Sequence, residues 1–499
     1  ARDIILARVL GAGAAADAWQ LAFQLPNIFR RLFAEGAFSA AFVPLFNRKM
    51  EEDEGRSAAQ NFAIDVLSVF VPILLVFSAV MMVAMPGIIW LIDEFGEGGR
   101  ATDVTISLAR ITFPYLALIS VTTLFAAILN SVSRFAAAAA APIMLNICMI
   151  TALLSALWLT GGEDPRQAAY FLAIAVATAG LVQLLWLYYW ARKAGFSFVI
   201  RKPKFTPDVK ELGILILPAV FGAGIYQISR FIDLFFLGRL PEGSFVYLAM
   251  ADRLNQLPLG IIGIALGTAI LPALSRFIAQ NDQGGAQRIQ SNAIELGMLL
   301  TSPAAIALFF AAGPLVTSFY QGGNFKPEDS QTTANVVAAL VVGLPAYVLI
   351  KVLAPGFFAR EDTATPVKIA ALCVAINLVL NLALMGPLQH GGIALATAVS
   401  AWINAGLLAL FLLRRGNFEI DARLRRAVPR TLLASVAMAG ALWLAPDTLG
   451  GFAATNVLLA VFVLVALVML GLVVFASAAV GFGATRISDI KRLLDRSSR

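Results

Sequence analysis

Apolar runs of about 20 residues follow one another from end to end of this chain, and they leave few choices of fold. A hydrocarbon layer about 30 Å thick is crossed by about 20 apolar helical residues. Inside it every backbone N–H and C=O must be paired, so a spanning element is a helix or part of a closed barrel. Candidate helices lie at 1–11, 16–47, 59–91, 104–130, 136–160, 167–191, 211–238, 243–276, 288–312, 331–357, 366–386, 391–413, 430–446 and 454–482. That makes about fourteen. Turns such as TGGEDP, QGGNF and GPLQHGG separate them, and no strand-like alternation runs over this length. Apolar residues are 60% of the 499 and charged residues only 13%, about half the charge of a soluble domain. The expected fold is an all-α polytopic membrane protein.

The opening ARDIILARVL starts partway into a helical pattern, so the first helix reads as truncated. Cys148 and Cys373 both lie in apolar runs, which excludes a disulfide framework or a CxxC metal site. The single histidine, His390, sits in GPLQHGG without nearby Cys or acidic residues, and reads as satisfied or solvated. Loop charge orients the helices, because cytoplasmic loops hold most Lys and Arg. Alternate loops, together with the tail, carry about 25 of the 37 basic residues, and the intervening loops hold Arg100, Arg166, Arg239 and Lys326. Both termini are therefore expected in the cytoplasm. Basic residues spread over several loops make no nucleic-acid-binding domain.

The chain is also doubled. Leu25-Pro26 and Pro44 match Leu257-Pro258 and Pro272, while Pro114, Arg134 and Pro142 match Pro345, Arg360 and Pro366. The halves begin on the same side, which makes a parallel repeat. Repeats of this kind in transporters place substrate between two rocking lobes. The expected parts are an N-lobe, 1–191; a cytoplasmic linker, 192–210; a C-lobe, 211–413; and two extra helices with a tail, 414–499. Each lobe has six helices.

A charge at the centre of a membrane costs about 2.5–3.5 kcal/mol on insertion scales, so the intramembrane charges need reasons. Arg31 and Glu35 stand at i,i+4 and can satisfy each other. Asp252 has neighbours to pair with. Asp17, Arg8 and Arg110 lie near helix ends, where snorkelling to the interface suffices. Arg2, Arg30 and Arg253 fall in the equivalent front helices of the two lobes. Three guanidiniums converging on a cavity call for an anion, and the guanidinium fork suits phosphate or carboxylate oxygens. Pro26 frees the carbonyl of Ala22 and kinks the helix just before Arg30; Pro258 acts likewise after Arg253. Gly260, Gly263 and Gly267 allow helices to approach closely.

ARDIILARVLGAG, ADAW, AFQLPNIFRRLFAEGAFSAAFVP, ADRLNQLPLGIIGIALGTAILPALS and KVLAPGFFAREDTATPVKIA together closely resemble the MurJ (MviN) family of lipid II flippases, over essentially the whole chain. That family belongs to the multidrug/oligosaccharidyl-lipid/polysaccharide exporter superfamily. The resemblance implies fourteen helices in two lobes plus a C-terminal pair. It also implies a cavity in which Arg2, Arg30 and Arg253, beside Asp3 and Glu35, meet the pyrophosphate of lipid II. The headgroup would cross by alternating access, from the cytoplasmic to the periplasmic leaflet of the bacterial inner membrane. The lipid tail would stay in the bilayer, against a groove formed by the last two helices. Gly36 in AEGAF, 34–38, would let helices close where the lobes part, with Pro26 and Pro258 as kinks. Membrane lipids and cell-wall synthesis machinery are the implied further partners.

The implied activity is transport, not enzymatic chemistry, and no P-loop is present to make ATP the direct drive. A coupling ion is the remaining drive. Asn377 and Asn381 share a helix face. With Asp233, Thr397 and the carbonyl of Ile393 they make a set of hard oxygens suited to a small cation. The resemblance implies Na⁺ in this lobe. The family pattern can carry an acid where this chain has Asn381, which leaves a proton on Asp233 as the alternative. Three other readings stand beside this one: a flippase for another lipid-linked oligosaccharide, a cation-coupled drug exporter (whose cavity would be acidic), and a non-transporting scaffold.

Overall fold

The computed structural model describes residues 1–33, 37–52, 55–93, 102–199, 201–444 and 457–484. Among these it is helical almost throughout. The helices are α1 (Arg2–Leu10), α2 (Ala14–Phe33), α3 (Ala37–Glu51), α4 (Arg56–Asp93), α5 (Thr102–Thr112), α6 (Tyr115–Ser131), α7 (Phe135–Thr160), α8 (Pro165–Lys193), α9 (Pro207–Leu237) and α10 (Ser244–Pro258). Next come α11 (Ile264–Ala279), α12 (Gln283–Phe310), α13 (Ala312–Tyr320), α14 (Pro327–Val341), α15 (Leu344–Leu353), α16 (Pro355–Phe358), α17 (Ala364–Arg414), α18 (Ala422–Trp443) and α19 (Val457–Gly481). Nine helices among the described residues are long and apolar enough to cross a membrane. One of them, α17, is two helices joined at Gln389, whose φ of 46° breaks the backbone path inside GPLQHGG. Of the other expected spans, 1–11 is a short helix, 16–47 and 430–446 run partly outside the described residues, and 211–238 falls within α9 but for its last residue. Helix α13 was not foreseen; it follows the expected helix 288–312 and ends before 331–357 begins.

The chain forms two compact units, one of 1–246 with 322–326 and the other of 247–321 with 327–499. The sequence repeat and the spatial grouping divide the chain differently. Helix α9, which opens the second half of the repeat, packs in the first unit against α2, α3 and α4. The reasons are local. Phe231 meets Phe29 edge-on at 5.9 Å. Gly238 lies so close to the Ile92 carbonyl that an added Cβ would sit 2.1 Å from it. At the other end Arg48 forks onto Glu211 at 2.7 and 3.0 Å, and Lys49 reaches Asp208 at 3.3 Å.

The first unit's core is aromatic. Phe38, Phe42 and Phe46 recur at every fourth residue of α3, so they line one face and stack at 5.5 Å. Phe62 and Phe70 of α4 stack onto them at 5.4 and 5.0 Å. The segment after α8 is extended. It buries Phe196 in this core and rests Phe198 on Phe125 at 4.8 Å.

In the second unit, α11, α12, α15 and α17 bury an aliphatic core around Leu274, Val348, Leu353, Ile369 and Leu408. Gly392 packs against the Leu384 carbonyl, where a Cβ would lie at 2.2 Å. Only a glycine allows the two halves of α17 to return that closely. His390 is buried beside this turn, edge-on to Tyr247 at 5.2 Å, and the Tyr247 hydroxyl donates to Asp329 at 2.7 Å. Of the two readings of His390, burial is the one realised.

Six helix ends close in one way. Ser133, Gly195, Asn281, Glu361, Gly416 and Gly483 all take positive φ. The amide that follows each donates to the carbonyl five residues back, as in Arg134 to Leu129 and Asp362 to Phe357, the closure that satisfies orphan carbonyls. All six lie in the basic loops and tail. The shared closure aligns Ser133 with Glu361, two residues from the alignment that pairs Arg134 with Arg360.

Asp362 fixes one of these loops. It accepts from the Thr365 amide at 2.9 Å and from Arg415. These hydrogen bonds, with Thr365 first among them, hold its carboxyl at about 2. A depressed carboxyl stabilises the fold above its unfolded value near 4 and loses that contribution as pH falls through about 2. Asp362→Asn is therefore expected to lower stability at pH 7 by roughly 1 kcal/mol, as a partly exposed charged pair does. The deficit should vanish near pH 2. Thermal unfolding of the purified protein across that range checks both halves.

Candidate functional site

The site residues are described within each unit. In the first, α1 begins at Arg2, whose side chain is only 13% exposed. Its Nε and Nη2 both donate to Asp3 Oδ1, at 3.0 and 2.7 Å, and Nη1 lies 3.8 Å from Met149 Sδ. Asp3 therefore supplies an anion to Arg2 from within the chain. That weakens the argument that all three guanidiniums need an external anion, and leaves Arg2 a polarised, oriented donor. In α2, Arg30 Nε donates to Asn27 Oδ1 at 3.2 Å, while Asn27 Nδ2 donates to the Phe23 carbonyl at 2.7 Å. Pro26 lies inside α2, one turn before Arg30. Glu35 and Gly36 lie outside the described residues, and with them the expected Arg31–Glu35 pair and most of AEGAF.

Asp17 was read as a snorkelling residue. It is instead 2% exposed. Its Oδ2 accepts from the Gly243 amide at 2.7 Å and its Oδ1 from Phe245 and Val246 at 3.1 and 3.2 Å. These are orphan donors at the start of α10, and a carboxylate there also meets the positive end of the helix dipole. The missed signal was ADAW placed early in a helix: an acid with no basic partner near it in sequence. Asn324, in the 322–326 segment of the same unit, receives comparable use. Its amide donates to the Arg8 carbonyl at 2.8 Å, and its Nδ2 to Val9 and Gly162 carbonyls at 2.6 and 2.9 Å.

In the second unit Arg253 is exposed on α10. Its neighbour Asp252 accepts from Gln256 at 2.6 Å, the local pairing expected of it. Pro258 ends α10, and Leu259–Gly263 forms a π-turn before α11. Proline has no N–H to give, and the wide turn absorbs that loss without breaking the rod. Gly263 and Gly267 accept the stem of Lys351 from α15, at 3.0 and 3.6 Å from where a Cβ would stand. Gly260 faces open space, so two of the three glycines serve close approach.

The expected cation ligands are divided. Asp233 is buried in α9, in the first unit; the other four belong to the second. Asn377 and Asn381 are both buried, and Asn381 Nδ2 donates to Asn377 Oδ1 at 3.1 Å. Thr397 Oγ1 donates to the Ile393 carbonyl at 3.1 Å. These are hard oxygens, but two of them already accept hydrogen bonds from within the set. No cluster of three or more His, Cys, Asp or Glu suited to a metal occurs among the described residues.

A family model described as "Lipid II flippase MurJ" matches residues 6–464. A Rhizobium meliloti protein named "Probable lipid II flippase MurJ" is 39% identical over 501 residues, covering 100% of this chain and 93% of its own. One from Rhizobium tropici with the same name is 41% identical over 442 residues, covering 88% and 82%. A solved structure titled "Lipid II flippase MurJ, inward closed conformation" superposes with a TM-score of 0.78 at 23% identity, covering 96% and 95%, and shares the fold.

Asp17→Ala is expected to destabilise the protein by about 2 kcal/mol, since it strands three amides at a helix start. Asp17→Asn, which keeps one acceptor oxygen, should cost less. Thermal unfolding in detergent ranks the two.

Proposed function

From the premise that this chain belongs to the lipid II flippase MurJ family, we propose that it carries lipid II between the leaflets of the bacterial cytoplasmic membrane. Direction is from the cytoplasmic to the periplasmic leaflet, by alternating access, and no covalent bond changes. The observation that carries this reading is the family match across nearly the whole chain, 6–464. The alternation of loops rich in Lys and Arg with loops poor in them supports cytoplasmic termini.

The chemistry is recognition of a pyrophosphate. Arg30 and Arg253 offer planar forks that match phosphate oxygens two at a time. Arg2, braced by Asp3, adds a donor whose charge is already balanced, and Glu35 completes the set. The undecaprenyl tail remains in lipid while the headgroup crosses. Transfer needs binding strong enough to draw the headgroup in and weak enough to release it. Partial neutralisation of Arg2 serves the second requirement. Gly36, Pro26 and Pro258 are the proposed gating positions.

Arg30→Ala or Arg253→Ala should abolish transport while the protein still inserts, because losing a costly charge does not hinder insertion. Arg→Lys should recover little. Depleting the protein in its own cell and assaying lipid II on the outer leaflet tests the function; unchanged externalisation, with no second flippase active, would sink it. Growth supported by Arg30→Ala as the sole copy would remove Arg30 from the mechanism.

Coupling to Na⁺ or a proton at Asp233, Asn377, Asn381, Ile393 and Thr397 completes the proposal. Each positive charge moving inward with the potential supplies about 2.3 kcal/mol per 100 mV. Labelling of cavity cysteines should differ between sodium and potassium, and Asp233→Asn should erase the difference. Equal labelling in every condition would remove the cation site.

A further inference from the structure

Thr112 ends α5, fully buried. Its hydroxyl lies 2.9 Å from the Ala22 carbonyl of α2 and 3.1 Å from the Ala109 carbonyl of its own helix. A hydroxyl has one proton to give. Ala109 already receives the Phe113 amide at 2.9 Å. Ala22 lacks its helical donor, because the residue four places on is Pro26. The proton is needed at Ala22, where an unpaired carbonyl in apolar surroundings is costly.

The same helix repeats the device two residues earlier. Arg110 Nε donates at 3.0 Å to the Met82 carbonyl of α4, and Met82 stands four residues before Pro86. Arg110, read from sequence as a snorkelling charge, is bound to backbone. Helix α5 thus supplies donors to two proline-freed carbonyls, from Thr112 on its buried side and from Arg110 on its exposed side.

Resting on the reading above, in which Arg30 meets a pyrophosphate, we propose that Thr112 and Asn27 are positioning residues for Arg30. Thr112 fixes how far α2 opens at Pro26. In the next turn Asn27 uses the kinked backbone at Phe23 as its anchor and turns its Oδ1 to Arg30 Nε. The guanidinium is thereby held by one edge. Without the Thr112 proton, the Ala22 carbonyl seeks another donor and the kink angle relaxes, carrying Asn27 and Arg30 away from the ligand.

The test is a double-substitution cycle on affinity for farnesyl pyrophosphate, measured on the purified full chain. Thr112→Val, isosteric but without the hydroxyl, should weaken binding about tenfold. Thr112→Ser should stay within about twofold of the unsubstituted protein, since it keeps the donor. Pro26→Ala restores an N–H for Ala22, so Thr112→Val added to it should cost nothing further. That coupling separates positioning from general loss of packing, which would be additive. Additive losses, equal losses for Thr112→Ser and Thr112→Val, or no binding by the unsubstituted protein would each overturn the proposal. Movement of lipid II by the unsubstituted protein in liposomes tests the functional reading separately.

Discussion

A carbonyl without a donor inside an apolar layer is the constraint on which this structure is built. Prolines inside helices create such carbonyls, and this chain places them within α2, α3, α4, α7, α10, α11, α12, α17 and α18. Water cannot settle the debt at that depth. Neighbouring side chains must, and they do so in specific ways: a threonine hydroxyl at Ala22, an arginine Nε at Met82, a change of helix type after Pro258. Each repair fixes a bend, and bends decide where the few charges point. Helix starts obey the same rule, which explains why a carboxylate as costly as Asp17 is buried among amides.

The helical fold was legible because apolar length is a strong signal, and the turn at GPLQHGG appears where it was expected. Helix α13 was not, since Gly313 and Pro314 near its start and only nine residues give a weak helical signal. The grouping of helices within a unit was less legible. Repeats record ancestry of sequence, whereas packing follows contacts such as Phe29 with Phe231, which no periodicity announces. The Ala22 carbonyl freed by Pro26 was inferred from sequence alone; its donor, 90 residues away, was not.

The candidate site shows the same division. Residue type and motif picked out Arg2, Arg30 and Arg253, and the local partners were only partly foreseen. Arg2 is balanced by the adjacent Asp3, although consecutive residues on a helix seldom face each other; at a first turn the geometry is free enough to allow it. Asn27, which orients Arg30, carries no charge and drew no notice. The oxygens gathered for a cation were chosen by hardness and spacing, but spacing says nothing of whether an oxygen already has a donor, as those of Asn377 and Ile393 do.

The π-turn at Leu259–Gly263 gives α10 and α11 a property that no other helix among the described residues has. One surplus residue is stored in a continuous rod. A wide turn can move along a helix by exchanging one hydrogen bond for its neighbour, keeping their number constant. Each residue it passes swings by about 100° about the axis. Ile261 and Ile264, exposed on either side of Gly263, can therefore change the face they present while Arg253 upstream and Pro272 downstream keep their register. The exposed outline of this helix can change as a ripple, with no part of it unfolding.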